Sequence, residues 1–521
     1  MGSIKTLQVT PRAARDKILT IDQLAAVAAE AQRAKKVVTL AHGSFDLLHL
    51  GHVRHLELAR EQGDVLIVTV TADRYLNKGP GRPVFTASLR AEMLAALSCV
   101  DWVGVNDGPV AVNVINAVKP DVYVKGSDYA ESAQDLTGKI TDEREAVEAH
   151  GGRVHFTDDI VFSSSALLNQ HFDISNPELR AYLQEMRSRD MLGKLMQMIE
   201  GIGQMRVLLV GDTIIDEYQY VSPLGKSPKE NLIPTLYRER EVFAGGVVAA
   251  ANHVAGFCKQ VDILTCLGDA DAHNDVVTRA IKPNMRLASV ARHGVPTTRK
   301  CRFIDSDYFR KLFEVHFMED LPISGELEAS FIKQIREMAP SYDLVIVTDF
   351  GHGLMTQAAT QAVTEASRFV AVNAQSNSAN MGYNLITKYK RAEYVCVDAP
   401  EARLAAGDKY SEVEEIVASN LPKRMQCDRF IITHGRHGCV TFDRTRDKVT
   451  RIPAFTAQIT DTMGAGDAFL AVTSPLVAAG SDMELVGFVG NAVGAMKVGI
   501  IGHRQSVEKV PLLKYLTALL K

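Results

Sequence analysis

Two short strings in this chain concentrate residue types that handle phosphate. The first runs His42-Gly43-Ser44-Phe45-Asp46-Leu47-Leu48-His49-Leu50-Gly51-His52. Its spacing places His49 and His52 on one face of an opening helical turn, and Gly51 lets a phosphate approach the backbone. Such a pair can hold a triphosphate and stabilise the charge that builds on it during attack, a catalysis made of positioning and electrostatics. Taken alone, two histidines at this spacing more plainly cap a helix or line a metal site. The second string is Asp461-Thr462-Met463-Gly464-Ala465-Gly466-Asp467-Ala468-Phe469. Backbone N–H groups at a glycine-rich helix start form an anion-binding nest suited to a phosphoryl group in transfer. Asp467 stands at its mouth, where a general base would accept a hydroxyl proton. Glycines before a helix also often serve packing alone.

Both strings need a strand to deliver them and a helix to receive them. Residues 21 to 36 carry Leu, Ala and Val at helical spacing behind Thr20, a fitting N-cap, and VVTLAHG then reads as a buried strand ending at Gly43. Strands follow at DVLIVTVTAD, WVGVN and DVYVKGSD, with a helix around SLRAEMLAALS. This predicts an alternating α/β domain over residues 1–172, in which ligands bind at the carboxyl ends of parallel strands. A polar helical linker is expected over 173–204. A second, larger parallel-sheet domain is expected over 205–521, with apolar strands at Val207–Val210, Val261–Leu264, Leu344–Val347, Phe369–Val372, Tyr394–Val397 and Arg429–Ile432. The two halves carry different motifs and no internal repeat.

At 521 residues the chain is long enough for two cores, and 46% hydrophobic against 23% charged residues is ordinary for a globular protein. A net charge of -4 gives no basic field for nucleic acid or anionic membranes, which favours small-molecule substrates. No stretch approaches the roughly 18 apolar residues of a membrane span, and no signal-peptide pattern opens the chain. Seven scattered cysteines without a CxxC pair point to neither a disulfide framework nor a zinc site, and a reducing cytoplasm is the expected location.

The letters around the first string, G-x-F-D-x-x-H-x-G-H, resemble the signature of the cytidylyltransferase-like nucleotidyltransferases. Lys78-Gly79-Pro80-Gly81-Arg82-Pro83, the helix with Arg90, Cys99 to Val103, and Lys125-Gly126-Ser127-Asp128-Tyr129 are similar to successive blocks of the heptose 1-phosphate adenylyltransferase branch. The resemblance implies a Rossmann-like domain in which His49 and His52 are catalytic and contact phosphates. It further implies that Gly43, Ser44, Phe45, Asp46, Gly51, Arg90 and Asp128 border the nucleotide, Lys78 and Lys125 neutralise charge, and Ser163, Ser164 and Ser165 bind triphosphate. The segment between Tyr129 and His155 is longer than the pattern expects, and its charges suit a solvated helix.

D-T-x-G-A-G-D-A-F resembles the second signature of the ribokinase-like (PfkB) sugar kinases, and the other blocks stand in that family's order. They are Gly211-Asp212 with Asp216, Ala244-Gly245-Gly246, Thr348 to Gly353, Thr433-x-Gly435-x-x-Gly438, and Asn491. GDTIIDEY, SPKENLIP and VPTTRKCRF are most similar to the heptose 7-phosphate kinase branch. The implied fold is a ribokinase-like parallel-sheet sandwich. In it Asp467 is the base and Gly464, Ala465 and Gly466 form the anion hole. Thr433, Gly435, Gly438 and Asn491 line the ATP site, while Asp212, Asp216, Gly245, Gly246 and Asn252 grip the sugar. Asp398 and Glu401 would hold magnesium through water, or simply begin a solvated helix. Three departures stand out. Ala249 replaces the usual Asn after the paired glycines, with Asn252 three places on; Asp398 replaces an amide before Glu401; and Val372-Asn373-Ala374-Gln375 lacks the family's Asp-Pro.

A kinase that phosphorylates a sugar and a transferase that activates a sugar 1-phosphate are consecutive in nucleotide-sugar synthesis, so the fusion implies both, with Mg2+ and with ATP or CTP as substrates. The bifunctional heptose enzymes carry these domains in the opposite order. Partners by resemblance are sugar phosphates, nucleotides and a second copy of the chain, since such kinases often pair through a lid. The competing readings are a cytidylyltransferase for a polyol phosphate, and a kinase half that has become a sensor or dimerisation module.

Overall fold

The computed structural model describes residues 13–76, 83–108, 110–126, 139–157, 177–378, 380–456 and 459–520. The chain divides into two compact units, Met1–Asn176 with Leu513–Lys521, and Pro177–Leu512.

The first unit is built on five strands, β1 (Val38–Gly43), β2 (Val65–Thr71), β3 (Trp102–Asn106), β4 (Val122–Gly126) and β5 (Arg153–Thr157), in the order β3-β2-β1-β4-β5. All pairs are parallel, with His42 opposite Thr69 and Ala41 opposite Val124. The strands read as continuous apolar runs because both faces are covered. One core holds Ala41, Leu66, Val68 and Leu94, the other Leu24, Leu40, Ile67 and Tyr123. Helix α1 (Ile21–Arg33) opens with a capping box in which Thr20 accepts from Gln23 N and Gln23 answers at Thr20 N. Helices α2 (Leu50–Arg60), α3 (Ala87–Ala95), α4 (Val112–Val118) and α5 (Lys139–Glu148) complete the alternation. The charged segment expected to be a solvated helix is α5, but Glu143 turns inward and is buried.

In the second unit a nine-stranded sheet runs β10-β9-β6-β13-β14-β15-β16-β17-β18. Its strands are β6 (Arg206–Gly211), β9 (Gln260–Gly268), β10 (Met285–Arg292), β13 (Leu344–Asp349), β14 (Val370–Ala374), β15 (Tyr394–Asp398), β16 (Arg429–Thr433), β17 (Cys439–Asp443) and β18 (Lys448–Ile452). It is parallel except for the antiparallel β16-β17-β18 edge. A separate four-stranded sheet, ordered β12-β11-β7-β8, is made of β7 (Thr213–Pro223), β8 (Thr235–Gly246), β11 (Arg299–Asp305) and β12 (Arg310–Phe317). Residues 177–201 fold as α6 (Pro177–Ser188) and α7 (Met191–Gly201), joined to the rest of this unit by the Arg189–Glu484 ion pair at 2.8 Å.

Candidate functional site

In the first unit, β1 ends at Gly43 and the chain turns through Phe45, held at φ +44°, into α2, for which His49 is the N-cap residue. The His49 and His52 rings stack with centroids 3.9 Å apart, and Phe45 meets His52 edge-on at 5.2 Å. Behind them His42 is pinned through Nδ1 to Thr69 Oγ1 at 2.9 Å and through Nε2 to Thr71 Oγ1 at 3.2 Å. Asp46 accepts from Val84 N at 2.7 Å and so ties this loop to the chain entering α3.

Two residues expected at the nucleotide have partners within the fold. Arg90 is fully buried and spends its guanidinium on the carbonyls of Phe85, Ser44 and Thr71 and on Asp73 Oδ1 at 2.6 Å. It clamps the loop from within. Lys125 makes a 2.9 Å ion pair with Glu143, which also accepts from Tyr123 OH at 3.1 Å. Lys78, Asp128, Ser163, Ser164 and Ser165 lie outside the described residues.

The second unit encloses a cavity of about 670 Å³ between its two sheets. Asn373, Gln375, Asp398 and Thr433, at or just beyond the carboxyl ends of β14, β15 and β16, line one side, and Asp216, Lys300, Arg302, Lys311 and Glu314 of the four-stranded sheet line the other. Gly464, Ala465, Gly466 and Asp467 close it at the start of α8 (Ala465–Ala478), whose N-cap Gly464 has φ +68°. That left-handed conformation, which a side chain would strain, turns the chain so that the first N–H groups of the helix face the cavity. Gly435, Gly438 and Asn491 line the same space, the last with its amide donated to the carbonyls of Ile452 and Pro453 at 3.1 and 2.9 Å.

Asp467 is buried, and burial pushes its carboxyl up to about 6; Gln375 Nε2 donates to its Oδ1 at 3.0 Å. Asp216 behaves oppositely. Burial alone would raise it, but hydrogen bonds from His503 and Arg302 and their charges hold it well below the usual carboxylate range. A Cβ on Gly245 would stand 1.9 Å from Asp216 Oδ2, so the paired-glycine turn is glycine because this carboxylate occupies the space. Gly245 therefore backs the cavity wall, while Gly246 lines the cavity itself.

Two residues expected at the sugar do not line this cavity. Asp212 is buried outside the cavity, accepts from Phe350 N at 3.1 Å, and is raised to about 7 by burial and by the neighbouring charge of Asp349. Asn252 is likewise absent from the lining, and its carbonyl accepts from Lys282 Nζ at 2.7 Å. Conversely, Lys300, Arg302, Lys311 and His503 line the cavity without having been assigned any role from sequence. Lys300 is buried, its ammonium is lowered by that burial, and no hydrogen bond or ion pair of Lys300 Nζ is present among the described residues. The run VPTTRKCRF held the signal for the first two, in basic residues alternating along one face of β11.

Asp398 and Glu401 form a capping box at the start of the helix Ala399–Ala406 and also line the cavity. Partial burial raises the Glu401 carboxyl, and the charge of Asp398 raises it further. A hard divalent cation would relieve that cost, and the donor set is all oxygen, so these residues fit magnesium held through water. No cluster of three or more His, Cys, Asp or Glu residues forms a metal cage among the described residues, and among them no helix is long and apolar enough to cross a membrane.

Comparison with known proteins divides the chain in the same way. The cytidylyltransferase-like family model matches residues 40–180, and the pfkB family carbohydrate kinase model matches residues 204–510. The Bifunctional protein HldE of Citrifermentans bemidjiense is 45% identical over 141 residues, 26% of this chain and 27% of that protein. Its counterpart in Geobacter sulfurreducens is 41% identical over 140 residues, again 26% and 27% of the two chains. The matches thus span about a quarter of the length of these relatives. Among solved structures, Arabidopsis thaliana ribokinase complexed with ribose and ATP aligns at 17% identity and a TM-score of 0.45, covering 61% of this chain and 99% of that one. Escherichia coli phosphofructokinase-2 in complex with potassium aligns at 14% and 0.48, covering 60% and 100%.

Proposed function

The chain belongs to the pfkB family of carbohydrate kinases and carries a cytidylyltransferase-like domain before its kinase domain, and from this we propose a bifunctional enzyme of nucleotide-sugar synthesis. The kinase half moves the γ-phosphoryl of ATP to the anomeric hydroxyl of a sugar phosphate similar to heptose 7-phosphate. The N-terminal half joins a sugar 1-phosphate to a nucleoside triphosphate, ATP or CTP, giving a nucleotide sugar similar to ADP-heptose and releasing pyrophosphate.

The observation that carries this reading is one cavity holding a phosphoryl nest, a buried base and the ammonium of Lys300. Asp467 accepts the acceptor's hydroxyl proton as the new O–P bond forms and the bond to ADP breaks. The N–H groups at Gly464, Ala465 and Gly466 face the phosphoryl in transit. Thr433, Gly435, Gly438 and Asn491 border the nucleotide. On the four-stranded sheet Arg302 is paired with Asp216 and Glu314 and Lys311 with Asp461, which leaves Lys300 to meet a second anionic group and supports a phosphorylated acceptor over a neutral sugar. Asp398 and Glu401 are the residues to hold magnesium, which neutralises the phosphate chain of ATP when bound. In the first unit, His49 and His52 hold the triphosphate while the sugar phosphate attacks its α-phosphorus, and Arg90 keeps their loop in place.

The four-stranded sheet exposes Leu236, Tyr237 and Phe313, which supports a second copy of the chain as its partner. All seven cysteines are free, which fits a reducing cytoplasm.

The test incubates the full chain with magnesium, ATP or CTP, and a panel including heptose 7-phosphate and heptose 1-phosphate, recording ADP and pyrophosphate separately. Loss of ADP alone in Asp467→Ala and of pyrophosphate alone in His49→Ala is the expected result. Pyrophosphate without any ADP, unchanged in Asp467→Ala, would leave a nucleotidyltransferase attached to a kinase-like domain that does not act on those sugars.

A further inference from the structure

His503 stands where the sugar wall and the phosphoryl nest meet. Its side chain is 8% exposed, and its Nε2 lies 3.2 Å from Asp216 Oδ2. The other ring nitrogen, Nδ1, is buried with no hydrogen-bond partner among the described residues. A buried polar nitrogen left in this way is costly unless a ligand satisfies it. The ring lines the same cavity as Gly464, Gly466 and Asp467, and its Cε1 is 2.7 Å from where a Cβ on Gly464 would stand. The unpartnered nitrogen thus belongs to a ring packed directly on the nest.

We propose that His503 is a ligand of the phosphoryl group in transit, donating from Nδ1 to one of its oxygens while Asp216 holds the ring in place. The proposal rests on the kinase reading above. Ionised Asp216 can only accept, so Nε2 carries a hydrogen; a phosphoryl oxygen can also only accept, so it meets Nδ1–H of the imidazolium. As the acceptor O–P bond forms and the bond to ADP breaks, the hydroxyl proton passes to Asp467 and His503 keeps both of its own. A neutral donor aimed at the same place would give less, because hydrogen bonds from a charged donor are roughly twice as strong.

The experiment titrates the full chain with MgADP alone and with MgADP plus aluminium fluoride, a mimic of the phosphoryl group in flight. Wild type is expected to bind MgADP at least about tenfold more tightly with fluoride. His503→Gln keeps an amide within reach of Asp216 but places nothing at Nδ1, and is expected to lose most of that gain with MgADP affinity unchanged. His503→Asn places its amide near the Nδ1 position and is expected to keep more of the gain than His503→Gln. A full gain in His503→Gln, the opposite ranking of the two variants, or a collapse of MgADP affinity itself would overturn the role of His503. No gain in wild type would overturn the kinase reading and this proposal with it.

Discussion

At the scale of single residues, Asp467 makes the proposed kinase chemistry titratable. Only its ionised form accepts a proton, so with a carboxyl at about 6 the rate of ADP release should fall as pH drops through that value, read as kcat/KM against pH. Stability runs the other way. A folded pKa raised from 3.8 to about 6 means that the stabilising protonated form is fully present at low pH and its contribution is lost as pH rises through about 6. Asp467→Asn should therefore lower ADP release by about 10²–10⁴-fold. At pH 8 it should raise unfolding free energy over wild type by roughly 1–3 kcal/mol, measured in denaturant. The base and the stacked histidines were legible because each sits inside a contiguous string. His503 and Lys300 were not, because 287 residues separate His503 from its partner Asp216, and only the folded sheets bring Lys300 to the cavity. The surroundings of Asp212 were hidden for a related reason. Its partner Phe350 N comes to it only because β13 lies alongside β6.

At the scale of elements, each proposed site depends on one buried charged group that fixes a turn. Gly245→Ala would drive a methyl into Asp216 Oδ2, against the wall that β7, β8 and β11 build together. The expected outcome is loss of ADP release with pyrophosphate release retained, and a destabilisation of about 1–3 kcal/mol from overpacking, seen in thermal unfolding. Arg90→Ala removes the donor set that joins the β1 loop, β2 and the entry to α3, and leaves carbonyls unpaired. It should cost about 3–5 kcal/mol and abolish pyrophosphate release while ADP release persists. The alternation of strands and helices was readable from apolar runs broken by glycine and polar turns. The four-stranded sheet was not, because only β7 is a buried run, and most of β12 is exposed and lies far from it in sequence.

At the scale of the whole molecule, a second copy covering the four-stranded sheet has a direct test. Replacing both Tyr237 and Phe313 with Asp should lower the mass measured by light scattering to that of one chain, if the proposed partner is a second copy. The distribution of sulfur has a consequence of another kind. Every one of the seven cysteines is free, and burial is the first cause raising each thiol. Cys396 is a wall of the kinase cavity, yet its thiol is pushed up to about 12, so at neutral pH only about one molecule in 10⁵ presents the reactive thiolate. An electrophilic drug carried into that cavity would find sulfur and fail to bond to it, and iodoacetamide should leave ADP release intact over hours. For anyone designing inhibitors, the burial that raises the Cys396 thiol makes it a poor site for covalent capture.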